Sequence, residues 1–311
     1  MISRRGILAT SLLAVPAILA RPLHAAGPQT VKIGSILGGP NMAAFLLPGY
    51  LKKQSNIDAE VVIFPNIVQR MQAIASGDIQ IGYGGINAAI GLAGRGTPLV
   101  LLSNATDGGW YLVGGPKVQT VADLKGKKVA VQAASISHIC LQWKLKKEGI
   151  FDSVEVLGMN NNDMPIAMQR GDVDALMAFE PHASYTVMNG WAKPVWAPYD
   201  TPMGRLNLGV IATPDYVAKN PELTKAVIRA HKAATEDLMR DNTAAAEAIV
   251  KTLNMPMNVA VESLKNTFFT TDSGPAFVSN VKALGSMMID AKMAQKLPDW
   301  GTFIDTTLIN A

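Results

Sequence analysis

The sequence predicts an α/β chain of two similarly built lobes, each a mixed, mostly parallel sheet flanked by helices. Short apolar strands alternate with helical stretches, the order expected of a parallel sheet covered on both faces. A helix end, a Gly-Asp pair and an apolar strand follow one another twice, in SGDIQIGYGG (76–85) and RGDVDALMAFEP (170–181), with an offset of 94 residues from Gly77 to Gly171. A length of 311 residues, 49% of them hydrophobic and 17% charged, supplies two ordinary cores and excludes a disordered chain.

Met1 to Ala26 reads as a targeting segment. It has a basic start, an uncharged run of 15 residues from Gly6 to Ala20, and the small-residue exit LHAAG. That run is shorter than the roughly 20 residues a helix needs to cross a bilayer. Ser3-Arg4-Arg5-Gly6-Ile7-Leu8 has twin-arginine spacing, which predicts export of the folded protein; an ordinary secretory signal with two arginines is the alternative. No later apolar run is long enough to anchor the chain.

In the mature chain, VKIGSIL (31–37) is a strand and NMAAFLLPGYLKKQ (41–54) a helix. EVVIFP (60–65) is the next strand, and Ile67, Met71 and Ile74 mark one face of a helix that Gly77 stops. IQIGYGG (79–85) runs from strand into a glycine turn. The first lobe takes 27–115, then 206–311 after the second lobe, which spans 116–205. In that second lobe VADLKGKKVAVQ gives a short helix and a strand, and SHICLQWKLKKEG a helix capped by Ser135 or Ser137 and ended by Gly149. LNLGVIAT (206–213) is a strand returning to the first lobe. A long helix begins at Asn220-Pro221-Glu222 with Leu223, Val227, Ala230, Ala234 and Leu238 on one face. Residues 243–311 read as helical hairpins packing on the first lobe.

The formal charge of +4 owes three arginines to the targeting segment; without it 25 Lys and Arg stand against 24 Asp and Glu, or +1. With aromatics at 6%, no nucleic-acid partner is expected. Cys140 is the sole cysteine, so no internal disulfide forms, and it reads as a buried core thiol.

In parallel α/β sheets ligands meet the carboxyl ends of strands. That rule selects Gly38, Asn41, Asn66, Gly85 and Asn87 in the first lobe, and Ser135, Ser137, His138, Asn160, Glu180 and His182 in the second. The helix opening at Ser135 offers N–H groups without intrahelical partners to an anionic oxygen. Arg205 is the arginine best placed for an acid, whereas Arg70 and Arg170 lie on or at the ends of predicted helices. His138, Glu180 and His182 could be metal ligands, but the spacing is weak and no metal or other cofactor is expected. The motifs GxSxG, GxxxxGK[ST] and GxGxxG are absent.

VKIG, FPNIVQRMQAIASGDIQIGYGG, DLKGKKVAVQAASISH, AMQRGDVDALMAFEPHA and LGVIAT, in this order, resemble the periplasmic substrate-binding proteins of nitrate/sulfonate/taurine-type ABC importers, relatives of the thiamine-pyrimidine binding proteins. The resemblance implies a clamshell, with a solute enclosed between the lobes and delivered to an inner-membrane permease by a monomeric, non-enzymatic periplasmic receptor. It places Ser135, Asn66, the turn Gly85–Asn87 and Glu180 on the cleft, and His138 matches a Ser-x-x-His stretch. Ile86 stands where many sulfonate binders carry an acid, and Phe179 where a tryptophan is usual, which weighs against taurine. A small organic anion, sulfonate-like or nitrate-like, or a heteroaromatic is the expected solute. The rival readings are an exported metal-dependent enzyme using His138, Glu180 and His182, and a receptor for a pyrimidine-type ligand that feeds a sensor.

Overall fold

The computed structural model describes residues 30–36, 39–65 and 67–310. The targeting segment, Gly38 and Asn66 lie outside the described residues.

The first lobe opens with Val31–Ser35 (β1), buried except at Lys32. Met42–Ser55 (α1) follows and ends at Asn56, whose left-handed φ of 52° closes the helix. Ala59–Ile63 (β2), Ile67–Ser76 (α2), Ile81–Gly85 (β3) and Ile86–Gly94 (α3) continue the alternation. Val100–Gly108 (β4) leads through Gly109 into Trp110–Gly114 (β5). The second lobe then runs through Lys128–Val131 (β6), Ile136–Lys147 (α4), Glu155–Gly158 (β7), Met164–Arg170 (α5), Ala175–Phe179 (β8), His182–Met188 (α6) and Lys193–Trp196 (β9). Leu206–Ala212 (β10) returns to the first lobe. Pro214–Lys219 (α7), Pro221–Arg240 (α8), Thr243–Leu253 (α9), Met257–Leu264 (α10), Thr267–Phe269 (β11), Pro275–Asp290 (α11), Trp300–Phe303 (α12) and Thr307–Asn310 (α13) complete the described chain.

Two sheets result, ordered β11-β4-β10-β3-β1-β2 and β7-β6-β8-β5-β9. Each holds a parallel triplet with its first strand in the middle: β2-β1-β3 in one sheet, β7-β6-β8 in the other. Each triplet is then joined by an antiparallel strand, β10 beside β3 and β5 beside β8. The two Gly-Asp junctions feed β3 and β8, equivalent strands, and both glycines end a helix at positive φ, 84° for Gly77 and 76° for Gly171.

Strand β5 therefore belongs to the second sheet, and the chain crosses between sheets at Gly108–Gly109 instead of near Pro116. The crossing falls in SNATDGG (103–109), a stretch of small and polar residues that is buried except at the half-buried Asp107. Gly108 and Gly109 have φ of 66° and 87°, a sharp turn that residues with a Cβ resist. The returning segment lies beside it: Gly108 N–H donates to Arg205 O at 2.6 Å, and Asn207 Nδ2 donates to Gly108 O at 2.6 Å.

Helices α1 and α8 cover one face of the first sheet with Met42, Leu47, Leu51, Val227 and Leu238, and α2, α3 and α11 cover the other. Helix α4 packs Ile139, Leu141 and Leu145 on one face of the second sheet; α5 and α6 pack Met164, Met168 and Ala183 on its other face. Strand β11, at the edge of the first sheet, lies within the segment read as helical hairpins; at three residues it is too short to show a period.

Candidate functional site

The parallel triplets point their carboxyl ends at one cavity of about 440 Å³ between the sheets. The first lobe contributes Asn41, Arg70, Gly85, Asn87 and Asn207, and the second contributes Gln132, Ser135, Asn160, Asn161, Phe179, Glu180 and His182. Its volume is that of a site for a small organic molecule. Of the sequence-selected residues, Asn41, Gly85, Asn87, Ser135, Asn160, Glu180 and His182 meet here.

Ser135 caps α4, its Oγ accepting from His138 N–H at 3.2 Å. The same hydroxyl donates to Gln132 O at 2.7 Å and lies 2.8 Å from Ser137 Oγ, so Ser137 is the donor of that pair. With its proton committed, Ser135 offers a solute no further donor. The polar groups this corner presents are the backbone N–H groups of Ile136 and Ser137, which have no intrahelical partner. The Ser137 side chain is fully buried behind the wall and is not part of the lining.

Across the cavity, Asn161 Oδ1 accepts from Phe179 N–H at 2.9 Å, while its Nδ2 donates to Phe179 O at 3.2 Å and to His182 Nδ1 at 2.7 Å. This clamp fixes the His182 tautomer, leaving the proton on Nε2, and burial lowers the His182 pKa to about 4. His182 is thus a neutral wall residue. The Glu180 carboxyl accepts from Ser184 N–H at 3.1 Å and Ser184 Oγ at 2.9 Å, and Asn266 Nδ2 approaches from the first lobe at 3.5 Å. It orients neither His138 nor His182. Burial raises its pKa to about 7, opposed by the bonds from Ser184 and Asn266.

His138 stays off the cavity wall: its Nδ1 accepts from Ala134 N–H at 3.3 Å, and burial lowers its pKa. Arg205 also lies elsewhere, with its Cζ 4.6 Å from the centre of the Phe268 ring. An arginine stacked on an aromatic face beside the crossing between the sheets is spent on structure. The arginine in the cavity is Arg70, only 1% exposed. Its signal was present in the sequence: Ile67, Arg70, Met71 and Ile74 occupy i, i+3, i+4 and i+7, so Arg70 fills a slot of the buried stripe. Asn266 and Asn207 carried no local signal at all.

His231, fully buried in α8, donates from Nε2 to Asn104 O at 2.9 Å and accepts from Tyr83 Oη at 2.8 Å. It ties the helix to the first sheet. Among the described residues no group of three or more His, Cys, Asp and Glu side chains could hold a metal ion, so His138, Glu180 and His182 do not assemble as ligands.

A family model described as NMT1/THI5 like matches residues 48–245. The putative aliphatic sulfonates-binding protein of Escherichia coli (strain K12) is 26% identical over 281 residues, 86% of this chain and 82% of that protein. The taurine-binding periplasmic protein of the same strain is 27% identical over 188 residues, 56% of this chain and 55% of its own. Among solved structures, the periplasmic aliphatic sulphonate binding protein SsuA from Escherichia coli superposes with a TM-score of 0.78 at 22% identity, over 89% of this chain and 92% of that one. The periplasmic nitrate-binding protein NrtA from Synechocystis PCC 6803 gives 0.73 at 14% identity, over 90% and 87%. These likenesses show a two-lobed binding-protein fold.

Proposed function

The chain belongs to the NMT1/THI5-like family, and on that premise we propose that it is the periplasmic solute-binding component of an ABC importer. It encloses a small organic anion, sulfonate-like or nitrate-like, between its lobes and delivers it unchanged to an inner-membrane permease. The observation that carries this reading is a cavity lined from both sheets, with a hydrogen bond from one lobe to the other, Asn87 Nδ2 to Ala134 O at 3.0 Å. A solute that touches both walls favours the closed form by its excess affinity for that form over the open one.

In this reading residues 30–108 with 206–310 move as one lobe, residues 110–196 as the other, and the paired segments at Gly108–Gly109 and Arg205 form the hinge. The first 26 residues direct export, by the twin-arginine route, and the receptor works as a monomer. Its likeness to periplasmic binders of sulfonate, taurine and nitrate supports transport over catalysis.

Small-angle scattering of the ligand-stripped protein tests it directly. Organic anions contract the particle, sugars leave it unchanged, and native mass spectrometry recovers the bound compound chemically intact. A compound that comes out transformed, or no contraction with any anion, sinks the proposal.

A further inference from the structure

We infer that Arg70 grips the acid group of the solute, and that this solute is an organic monoanion carrying a neutral hydrogen-bond donor and no ammonium group. The inference rests on the solute-binding reading above and names the class of compound that the cavity takes.

Arg70 sits within the apolar stripe of α2, 1% exposed, and no carboxylate among the described residues lies within ion-pair distance of it. Its Nε is buried without a hydrogen-bond partner. Burial lowers its pKa to about 10, which still leaves the guanidinium charged at neutral pH. A buried charge without a counter-ion is strongly unfavourable. The remedy comes through the cavity that Arg70 lines, because a planar guanidinium matches the two oxygens of an acid group. Glycine at position 84 makes room for it: a Cβ there would stand 3.1 Å from Arg70 Nη2.

A second orphan group defines the rest of the solute. Asn41 lines the same cavity, is 9% exposed, and its Oδ1 is buried without a donor. A hydroxyl or amide N–H from the solute satisfies it. An ammonium finds no counter-charge of its own. The Glu180 oxygens are taken up by Ser184 and Asn266, and Asp163, the other acid on the wall, lies on its exposed side. A zwitterion therefore brings its ammonium beside a buried guanidinium of like charge, with only an acid already holding three hydrogen bonds and an acid open to water to receive it.

Matched triplets read this out by calorimetry on the ligand-stripped mature protein. One triplet is 2-hydroxyethanesulfonate, ethanesulfonate and 2-aminoethanesulfonate; the other is 4-hydroxymethylbenzoate, 4-methylbenzoate and 4-aminomethylbenzoate. In the triplet that fits, the hydroxyl member binds about tenfold tighter than the unsubstituted one, and the ammonium member about 100-fold weaker than its hydroxyl twin. Arg70→Met lowers affinity about 100-fold or more while raising the Tm of the ligand-free protein, because a buried uncompensated charge is gone. Arg70→Lys keeps part of the affinity, and Asn41→Leu erases the preference for the hydroxyl member only.

An ammonium member that matches its hydroxyl twin overturns the inference. So does Arg70→Met with affinity intact, or with a lowered ligand-free Tm. If neither triplet binds while a neutral or cationic solute contracts the protein, the inference falls and the solute-binding reading stands. If nothing contracts it, both fall.

Discussion

Asn87 Nδ2 donates to the carbonyl of Ala134 at 3.0 Å, a bond that joins the first sheet's side of the cavity to the loop ahead of α4. Ala134 is held at a φ of 56°, a left-handed conformation that carries about 1–2 kcal/mol of strain for a residue with a Cβ. The bond therefore rests on a backbone carbonyl in a strained loop just ahead of the α4 cap. Replacing Asn87 by Ala removes a net contribution of about 1 kcal/mol to the closed form, so affinity falls about fivefold. Calorimetry shows the loss, and scattering shows a larger ligand-free particle. An unchanged particle and affinity would mean that the bond is incidental.

Ala134→Gly acts on the same loop with the opposite sign. Relief of the left-handed Cβ outweighs the added freedom of the unfolded chain, and stability rises by about 0.5–1 kcal/mol. Urea midpoints of the ligand-free protein measure it.

Gly84→Ala separates binding from folding. The added Cβ meets Arg70 Nη2 at 3.1 Å and Ile211 Cδ1 at 3.2 Å, both far ends of flexible side chains. The fold yields by less than about 1 kcal/mol, yet the guanidinium is displaced and anion affinity drops about tenfold or more. Gly114→Ala is the contrast: its Cβ would stand 2.3 Å from the backbone oxygen of Val118, and the variant loses several kcal/mol of stability.

Stability rises toward neutrality and then levels off. His182 and His231 are lowered from 6.5 to about 4, so their contribution is complete above pH 6.5 and is lost as pH falls through about 4. Glu180 is raised from 4.5 to about 7, so its contribution is complete below 4.5 and is lost as pH rises through about 7. Two histidines outweigh one glutamate on the acid side, and above about pH 6.5 the remaining histidine gain and the glutamate loss nearly cancel. Denaturation midpoints should rise from pH 4.5 to about 6.5 and then level off, and Glu180→Gln should let them go on rising toward pH 8. A midpoint that keeps rising above pH 7 refutes the assignment.

Cys140 is fully buried, 3.7 Å from Met203 Sδ, and burial pushes its thiol up to about 12. Iodoacetamide should leave it untouched in the native protein and label it at the rate of opening, so labelling with time reads local unfolding of α4. Rapid stoichiometric labelling under native conditions would contradict this.

Much of the architecture was legible because it recurs. The two Gly-Asp junctions end helices and open the equivalent strands β3 and β8, and Ser135 and Gly149 bracket α4 as helix-end chemistry requires. Strands β4 and β5 escaped notice: buried on both faces, they show no alternation, and the small and polar residues of SNATDGG at their crossing look like an ordinary turn. Most of the site followed from the rule of strand ends. Arg70 did not, since a charge on a helix reads as a solvated face unless its place in the apolar stripe is counted. Glu180 was placed on the wall, but its partner Asn266 lies 86 residues away and nothing local announces it.

Glu180 has its backbone as well as its side chain in the joint between the lobes. Its N–H donates to Gly109 O at 2.8 Å, Gly109 N–H donates to Asn266 O at 2.7 Å, and Asn266 reaches back to the Glu180 carboxyl. The triangle mounts one wall of the chamber on the pivot itself. In the proposed receptor, cargo that leans on that wall would apply torque where the two halves turn, so recognition and motion would share a single lever with no relay between them.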